Sequence, residues 1–176
     1  FKSFCTSMYG CELWSLTDNV TNVFCAAWRR VLRRVLNLPY TAHCNLLPLL
    51  TDTLPAFDEI CRRSSQFIMS CLNSDSFLVR VVVRYGIEFA RYDSCVGRNL
   101  LFCCDYFNWR LSDFLGGNVS LKYVCFRNFF ISKLSSSELN VACSLFEVLL
   151  VREGDLCLEN FNYDEVDSIV TALSTC

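Results

Sequence analysis

Hydrophobic residues recur every three or four positions along much of this chain, which is the spacing of one face of an α-helix. The first such stretch starts near Asp18, where Thr17 or Asp18 can serve as the N-cap, and stops before Pro39. Its apolar positions are Val20, Val23, Phe24, Ala27, Val31 and Val35. The pattern predicts an amphipathic helix that turns this face to the core and its arginines to the opposite arc.

The same spacing predicts further helices in the rest of the chain. They begin near Pro55, Asn99, Ser120, Ser137 and Asn162. The helix that begins at Asn99 should run to Leu115, because Gly116-Gly117 is a strong stop signal. The segment 77–83 is short and rich in β-branched residues, so the pattern does not distinguish a helix from a strand there. Residues 38–54 are expected to form a loop. We therefore expect an all-α bundle of about five to seven helices.

The composition excludes several classes of protein. Apolar residues make up 53% of the 176 positions and charged residues only 19%, so the chain can fold around a core. The longest uncharged run contains two prolines and is a poor membrane span, so no membrane partner is expected. The first residue is Phe1 rather than Met, and we expect the chain to be a piece of a longer protein.

The thirteen cysteines allow three interpretations. Several, such as Cys61 and Cys71, stand at apolar helical positions, which favours reduced core residues in a nuclear or cytoplasmic protein. A secreted disulfide protein is the second interpretation, although the count is odd. A zinc site is the third, but the chain has no C-x-x-C pair and a single histidine, His43, so no metal ligands are predicted.

Positive charge is concentrated in the N-terminal half. Residues 1–98 hold eleven Lys and Arg against eight Asp and Glu, whereas residues 99–176 hold five against ten. Four arginines, Arg29, Arg30, Arg33 and Arg34, lie within two helical turns, and no acidic residue occurs between Asp18 and Asp52. We call these four the arginine quartet. It suits contacts to a phosphate backbone, with Arg62 and Arg63 as weaker candidates. The alternatives are an ordinary solvated helix face, or partners of these arginines elsewhere in a parent protein.

The sequence gives no pattern for catalysis. Phosphate-binding, dinucleotide-binding and hydrolase motifs are absent, and no adjacent Asp-Asp pair exists. Asp93, Asp105 and Asp113 are scattered rather than clustered, and no acid stands near His43 and Cys44 to orient a nucleophile and base. We predict no catalytic residue in this chain.

Several short strings in the N-terminal part form a recognisable pattern. They are Tyr9-Gly10-x-Glu12-Leu13-Trp14, Ala27-Trp28-Arg29-Arg30, Arg33-Arg34-Val35, Leu38-Pro39, Thr41-x-His43 and Leu46-Leu47-Pro48. Together they resemble the region just after the polymerase core of non-LTR (LINE-type) retrotransposon reverse transcriptases, most closely the chicken-repeat group. Arg63, Phe67 and Ser74 fit the pattern that follows them, and the end of the chain, from Tyr163 to Cys176, resembles the C-terminus of such proteins. The specific motifs cover about residues 1–75.

This resemblance implies a thumb-like helical segment at residues 1–75 and a C-terminal helical extension at residues 76–176. It implies RNA or an RNA–DNA duplex, and the rest of the parent polymerase, as partners. The magnesium-binding Asp-Asp pair of the palm would lie upstream of Phe1, so no cofactor is expected in this segment. The remaining alternative is a helical protein–protein interaction module, or an inactive fragment derived from a retroelement.

Overall fold

Helices form all the regular secondary structure of the residues that this computed structural model describes, which are 8–38, 40, 45–51, 53–136 and 138. A 3₁₀ turn at Cys11–Leu13 precedes the α-helices. The α-helices are α1 (Asn19–Val35), α2 (Leu46–Leu50), α3 (Ala56–Leu72), α4 (Phe77–Glu88), α5 (Cys95–Tyr106), α6 (Leu111–Leu115) and α7 (Tyr123–Ser132). The all-α prediction is confirmed for these residues.

The described residues fall into two compact units. The first unit comprises the described residues within Phe1–Cys25 and Leu54–Ile131. The second unit comprises the described residues within Ala26–Thr53 and Ser132–Cys176. The boundary falls inside α1, whose first two turns belong to the first unit. The division at residue 75 that the sequence suggested stays a prediction.

The core of the first unit is formed where α3, α4, α5 and α6 meet. Its buried members are Ile68, Leu72, Ile87, Leu100, Cys104 and Phe114. Phe107 extends this core toward α7, because its ring lies 4.9 Å from Phe126 and 4.7 Å from Phe129 between centroids. Edge-to-face pairs of this kind stabilise a core beyond their buried area.

A glycine sets the distance between α4 and α5. A Cβ on Gly97 would lie 2.5 Å from the carbonyl oxygens of both Arg91 and Gly86. Ser94 caps α5 by accepting a hydrogen bond from the Gly97 amide at 2.9 Å, and its hydroxyl donates to the Gly86 carbonyl at 2.8 Å. The two helices are therefore joined at backbone contact distance.

A buried amide ties the N-terminal segment to α5. The side chain of Asn99 accepts a hydrogen bond from the Leu16 amide at 3.0 Å and donates one to the Trp14 carbonyl at 2.7 Å. Asn99 is 2% exposed, so both bonds are made away from bulk water. The sequence showed Asn99 only as a helix start, and the structure places it inside α5.

The predicted helix from Asn99 to Leu115 is wrong in its extent, because α5 ends at Tyr106 and α6 begins at Leu111. Asn108 adopts a left-handed conformation with φ 56°, and the Trp109 amide donates to the Cys104 carbonyl at 2.8 Å. This is the Schellman termination of a helix. It turns Trp109 back onto the core, which one straight helix would not allow.

The predicted core face of α1 is also wrong. Val20, Val23, Val31 and Val35 are exposed, whereas the buried positions are Thr21, Cys25, Trp28 and Leu32. Both sets have helical spacing, so periodicity alone allows either face. Trp28 and Leu32 carry more apolar area than valines do, and burying them gives the larger gain in free energy.

The remaining helix predictions have mixed outcomes. The helices expected near Pro55 and Ser120 are confirmed as α3 and α7, and residues 77–83 are helical. The predicted loop at residues 38–54 contains the short helix α2. The helices expected from Ser137 and Asn162, the stop at Pro39 and the surroundings of His43 lie outside the described residues.

Candidate nucleic-acid interface

The arginine quartet lies on the last two turns of α1, in the second unit. Arg30 and Arg34 are exposed, one helical turn apart, and Arg29 and Arg33 are half-buried. The exposed side that holds Arg30 and Arg34 also holds Ala27, so the arginines share a face with apolar residues instead of opposing it. The quartet thus consists of two exposed and two half-buried arginines.

The end of α1 favours positive charge at this place. Asn37 is left-handed with φ 51°, and the Leu38 amide donates to the Arg33 carbonyl at 2.8 Å, which closes the helix. Cations in the last turn of a helix are stabilised by its dipole, so Arg33 and Arg34 also serve the fold. The Arg33 guanidinium lies 5.6 Å from the centroid of the Tyr40 ring. No pattern in the sequence predicts this contact, since Tyr40 stands in the predicted loop.

Arg62 and Arg63 have a different environment, on α3 in the first unit. Both bind the buried Glu59: Arg62 through Nε and Nη2 at 2.8 and 2.6 Å, and Arg63 through Nε at 2.7 Å. Arg63 also donates to the Met8 carbonyl at 3.4 Å, which connects α3 to the segment before the 3₁₀ turn. Their positive charge is thus partly neutralised in place.

Two opposing effects set the pKa of Glu59. Burial raises this pKa. The hydrogen bonds from Arg62 and Arg63 lower it by more than burial raises it, so the resulting pKa lies below the usual value for glutamate. The carboxylate therefore stays ionised at neutral pH. Glu59 and the two arginines form an ionic cluster that holds α3 to the N-terminal segment.

The buried polar groups between α3 and α5 form structural contacts. The Tyr106 hydroxyl donates to Asp58 Oδ1 at 2.9 Å, and burial together with that carboxylate raises the pKa of Tyr106. The hydrogen bond to Cys103, together with burial, raises the pKa of the Cys61 thiol. Burial raises the pKa of Cys104 to about 11. Thiols and phenols with such pKa values are protonated at neutral pH and are poor nucleophiles.

The cysteines of the described residues are all thiols. This agrees with the interpretation of these cysteines as reduced core residues, since Cys11, Cys25, Cys61, Cys103 and Cys104 are buried. Within the same residues no group of three or more His, Cys, Asp or Glu side chains is placed to hold a metal ion. None of α1–α7 is long and apolar enough to cross a membrane.

The two tryptophans nearest the quartet in sequence, Trp14 and Trp28, could in principle stack on nucleic-acid bases. Trp28 is buried, at 7% exposure, so its ring is not available for stacking. Trp14 is half-buried, and its ring meets Phe24 edge to face at 4.9 Å. Among the described residues, the exposed arginines of α1 are therefore better candidates for contact with a nucleic acid than these two rings.

Comparison of this chain with protein-family models, curated proteins and solved structures gave no match. The assignment of the interface rests on the residues and their geometry.

Proposed function

We propose that this chain is a non-catalytic helical part of an RNA-directed DNA polymerase of the non-LTR retrotransposon type. Its role is to grip template RNA or an RNA–DNA duplex by the phosphate backbone through the arginine quartet. The motifs of residues 1–75 support the parentage. The observation that carries the binding role is the pair of exposed guanidinium groups of Arg30 and Arg34 on one stable helix.

The packing of α1 suits this role. Trp28 and Leu32 are buried, so one side of α1 is packed while the side with Arg30 and Arg34 is exposed. Guanidinium forks bind phosphate oxygens bidentately, and such contacts carry no base sequence. Binding is therefore expected to be independent of sequence and strongly dependent on salt. Arg62 and Arg63 have a lesser part in the proposal, because Glu59 already holds them.

The test is the affinity of the chain for a fluorescent RNA–DNA hybrid duplex, measured by anisotropy over a series of salt concentrations. Replacing both Arg30 and Arg34 by Ala should weaken binding at low salt by ~10-fold or more. It should also reduce the salt slope by about one for each lost phosphate contact. Replacing both by Lys should keep most of the slope, because the charge is retained.

The matched control replaces Arg84 and Arg110 by Ala. Both are exposed arginines of the first unit, so this variant has the same net charge as the first one. It should bind the duplex nearly as the parent chain does. Equal losses in both double variants would show that only net charge matters, and unchanged binding by the Arg30/Arg34 variant would remove the quartet from the proposal.

A further inference from the structure

The outer side of α4 is an exposed apolar surface. Phe77, Leu78, Val82, Tyr85 and Phe89 are 72%, 70%, 60%, 61% and 76% exposed. With Val81 they form what we call the α4 face. Its members are spaced three or four positions apart, so they are neighbours on one side of the helix. The rings of Tyr85 and Phe89 stack on each other at 5.6 Å between centroids, which gives the face a flat aromatic end.

The α4 face has no part in the core of its own unit. That packing is made by the opposite side of α4, where Ile87 is 1% exposed, Val83 packs against the core cluster and Gly86 meets α5. The hydrophobic core of the first unit thus forms without the outer residues of α4. Exposing them to water costs free energy that association with a second surface would recover.

The size of the face matches an interface. The largest apolar patch of a typical monomer is about 300–600 Å². From their exposed fractions, the six side chains of the α4 face present on the order of 700 Å², close to the ~800 Å² that each partner buries in a standard interface. Complete burial of two such faces would remove ~1,400 Å² from water, which lies within the range of about 1,200–2,000 Å² that specific interfaces bury.

The charges around the face are nearly balanced. Within residues 75–98, Asp75, Glu88, Asp93, Arg84 and Arg98 are exposed, while Arg80 and Arg91 are half-buried and donate to backbone carbonyls. Four arginines against three acids leave a net charge of +1. A surface for nucleic acid or anionic lipid requires a larger excess of cations. A mixed rim around an apolar centre suits a protein surface with the same composition. A second copy of the α4 face has this composition.

We infer that two copies of this chain associate through their α4 faces in a two-fold symmetric interface, in which the same patch lies on both sides. This inference is independent of the proposed function, because it concerns a helix of the first unit that holds none of the quartet. It assigns the exposed aromatic and aliphatic residues of α4 to self-association.

The experiment is sedimentation equilibrium of the full chain without nucleic acid, over a range of protein concentrations. The parent chain should dimerise, and Val82→Glu should raise the dimer Kd by about 30-fold or more, since a charge would be buried at the centre of the interface. Val23→Glu is the matched control. Val23 is 61% exposed against 60% for Val82, and both are valines inside helices. This variant should dimerise like the parent.

Circular dichroism checks that Val82→Glu keeps the parental helix content. If it does not, Leu78→Arg on the same face replaces it and should weaken the dimer equally. The Arg30/Arg34→Ala variant should dimerise like the parent, which separates this inference from the nucleic-acid proposal. A monomeric parent chain at all concentrations, or dimers unchanged by both α4 substitutions, would overturn the inference.

Discussion

At the scale of single residues, Asn99 shows how one side chain can fix two distant segments. Its amide satisfies a donor at Leu16 and an acceptor at Trp14, more than eighty residues away in sequence. A buried backbone group without a partner costs ~1–3 kcal/mol. Asn99 thus stabilises the path of the N-terminal segment, which a helix-start assignment does not reveal.

We expect Asn99→Ala to lower the free energy of unfolding by about 2–4 kcal/mol, because two backbone groups lose their partner. Urea unfolding followed by circular dichroism measures this. Asn128→Ala is the control: Asn128 is an exposed asparagine inside α7, so both substitutions gain the same helix propensity. Equal stability of the two variants would contradict the structural role of Asn99.

At the scale of elements, two glycines at the α4–α5 contact should respond differently to the same change. A Cβ at Gly97 would meet two backbone oxygens at 2.5 Å, whereas a Cβ at Gly86 would meet the side-chain oxygen of Ser94 at 3.2 Å. Backbone atoms can move only if the helices separate. The Ser94 side chain has to shift by only a few tenths of an ångström, which its two hydrogen bonds can accommodate.

Gly97→Ala should therefore destabilise the fold by ~3 kcal/mol or more, through the separation of α4 and α5. Gly86→Ala should be close to neutral, because the ~1 kcal/mol gain in helix propensity offsets a small rearrangement. Thermal unfolding of both variants beside the parent chain measures the difference. The close approach of the two helices would be refuted if both glycines tolerated alanine equally.

The same scale shows what periodicity can and cannot predict. It located α1, α3 and α7, because each has apolar residues at helical spacing and a start or stop signal. It chose the wrong face of α1, because the valine stripe and the stripe with Trp28 and Leu32 fit the same period. It missed the end of α5, because an asparagine in the left-handed conformation, Asn108, leaves no gap in the apolar pattern.

The candidate site, like the helices, was only partly predictable from the sequence. The four arginines could be found from sequence, since a cluster of like charges without nearby acids needs no knowledge of the fold. The exposure of each arginine could not be predicted from the sequence, because it depends on which face of α1 is buried. The binding of Arg62 and Arg63 by Glu59 follows the i, i+3 and i, i+4 spacing and could have been predicted from it.

At the scale of the whole molecule, the two sets of arginines act in different ways. The ionic cluster around Glu59 links α3 to the N-terminal segment of the first unit, so it contributes to folding. The quartet lies in the second unit, where Arg30 and Arg34 are open to solvent. The first set should therefore govern stability against acid, and the second should govern binding to polyanions.

The acid stability of the chain follows from Glu59. Its pKa in the folded state is below the ordinary value of 4.5, so the folded state binds its proton less readily than the unfolded state does. The stabilisation is complete above the unfolded pKa and is lost as the pH falls through the folded pKa. Glu59→Gln should reduce the free energy of unfolding by about 1–3 kcal/mol at pH 7, because charge-assisted hydrogen bonds are replaced by neutral ones.

The difference between the parent chain and Glu59→Gln should shrink as the pH falls below 4.5 and should vanish once Glu59 is protonated in both states. Urea unfolding at a series of pH values measures it. Glu88→Gln removes an exposed carboxylate from α4 and serves as the control for the loss of one negative charge. If the gap between the parent and Glu59→Gln stayed constant from neutral to acid pH, the cluster would act through packing and not through charge.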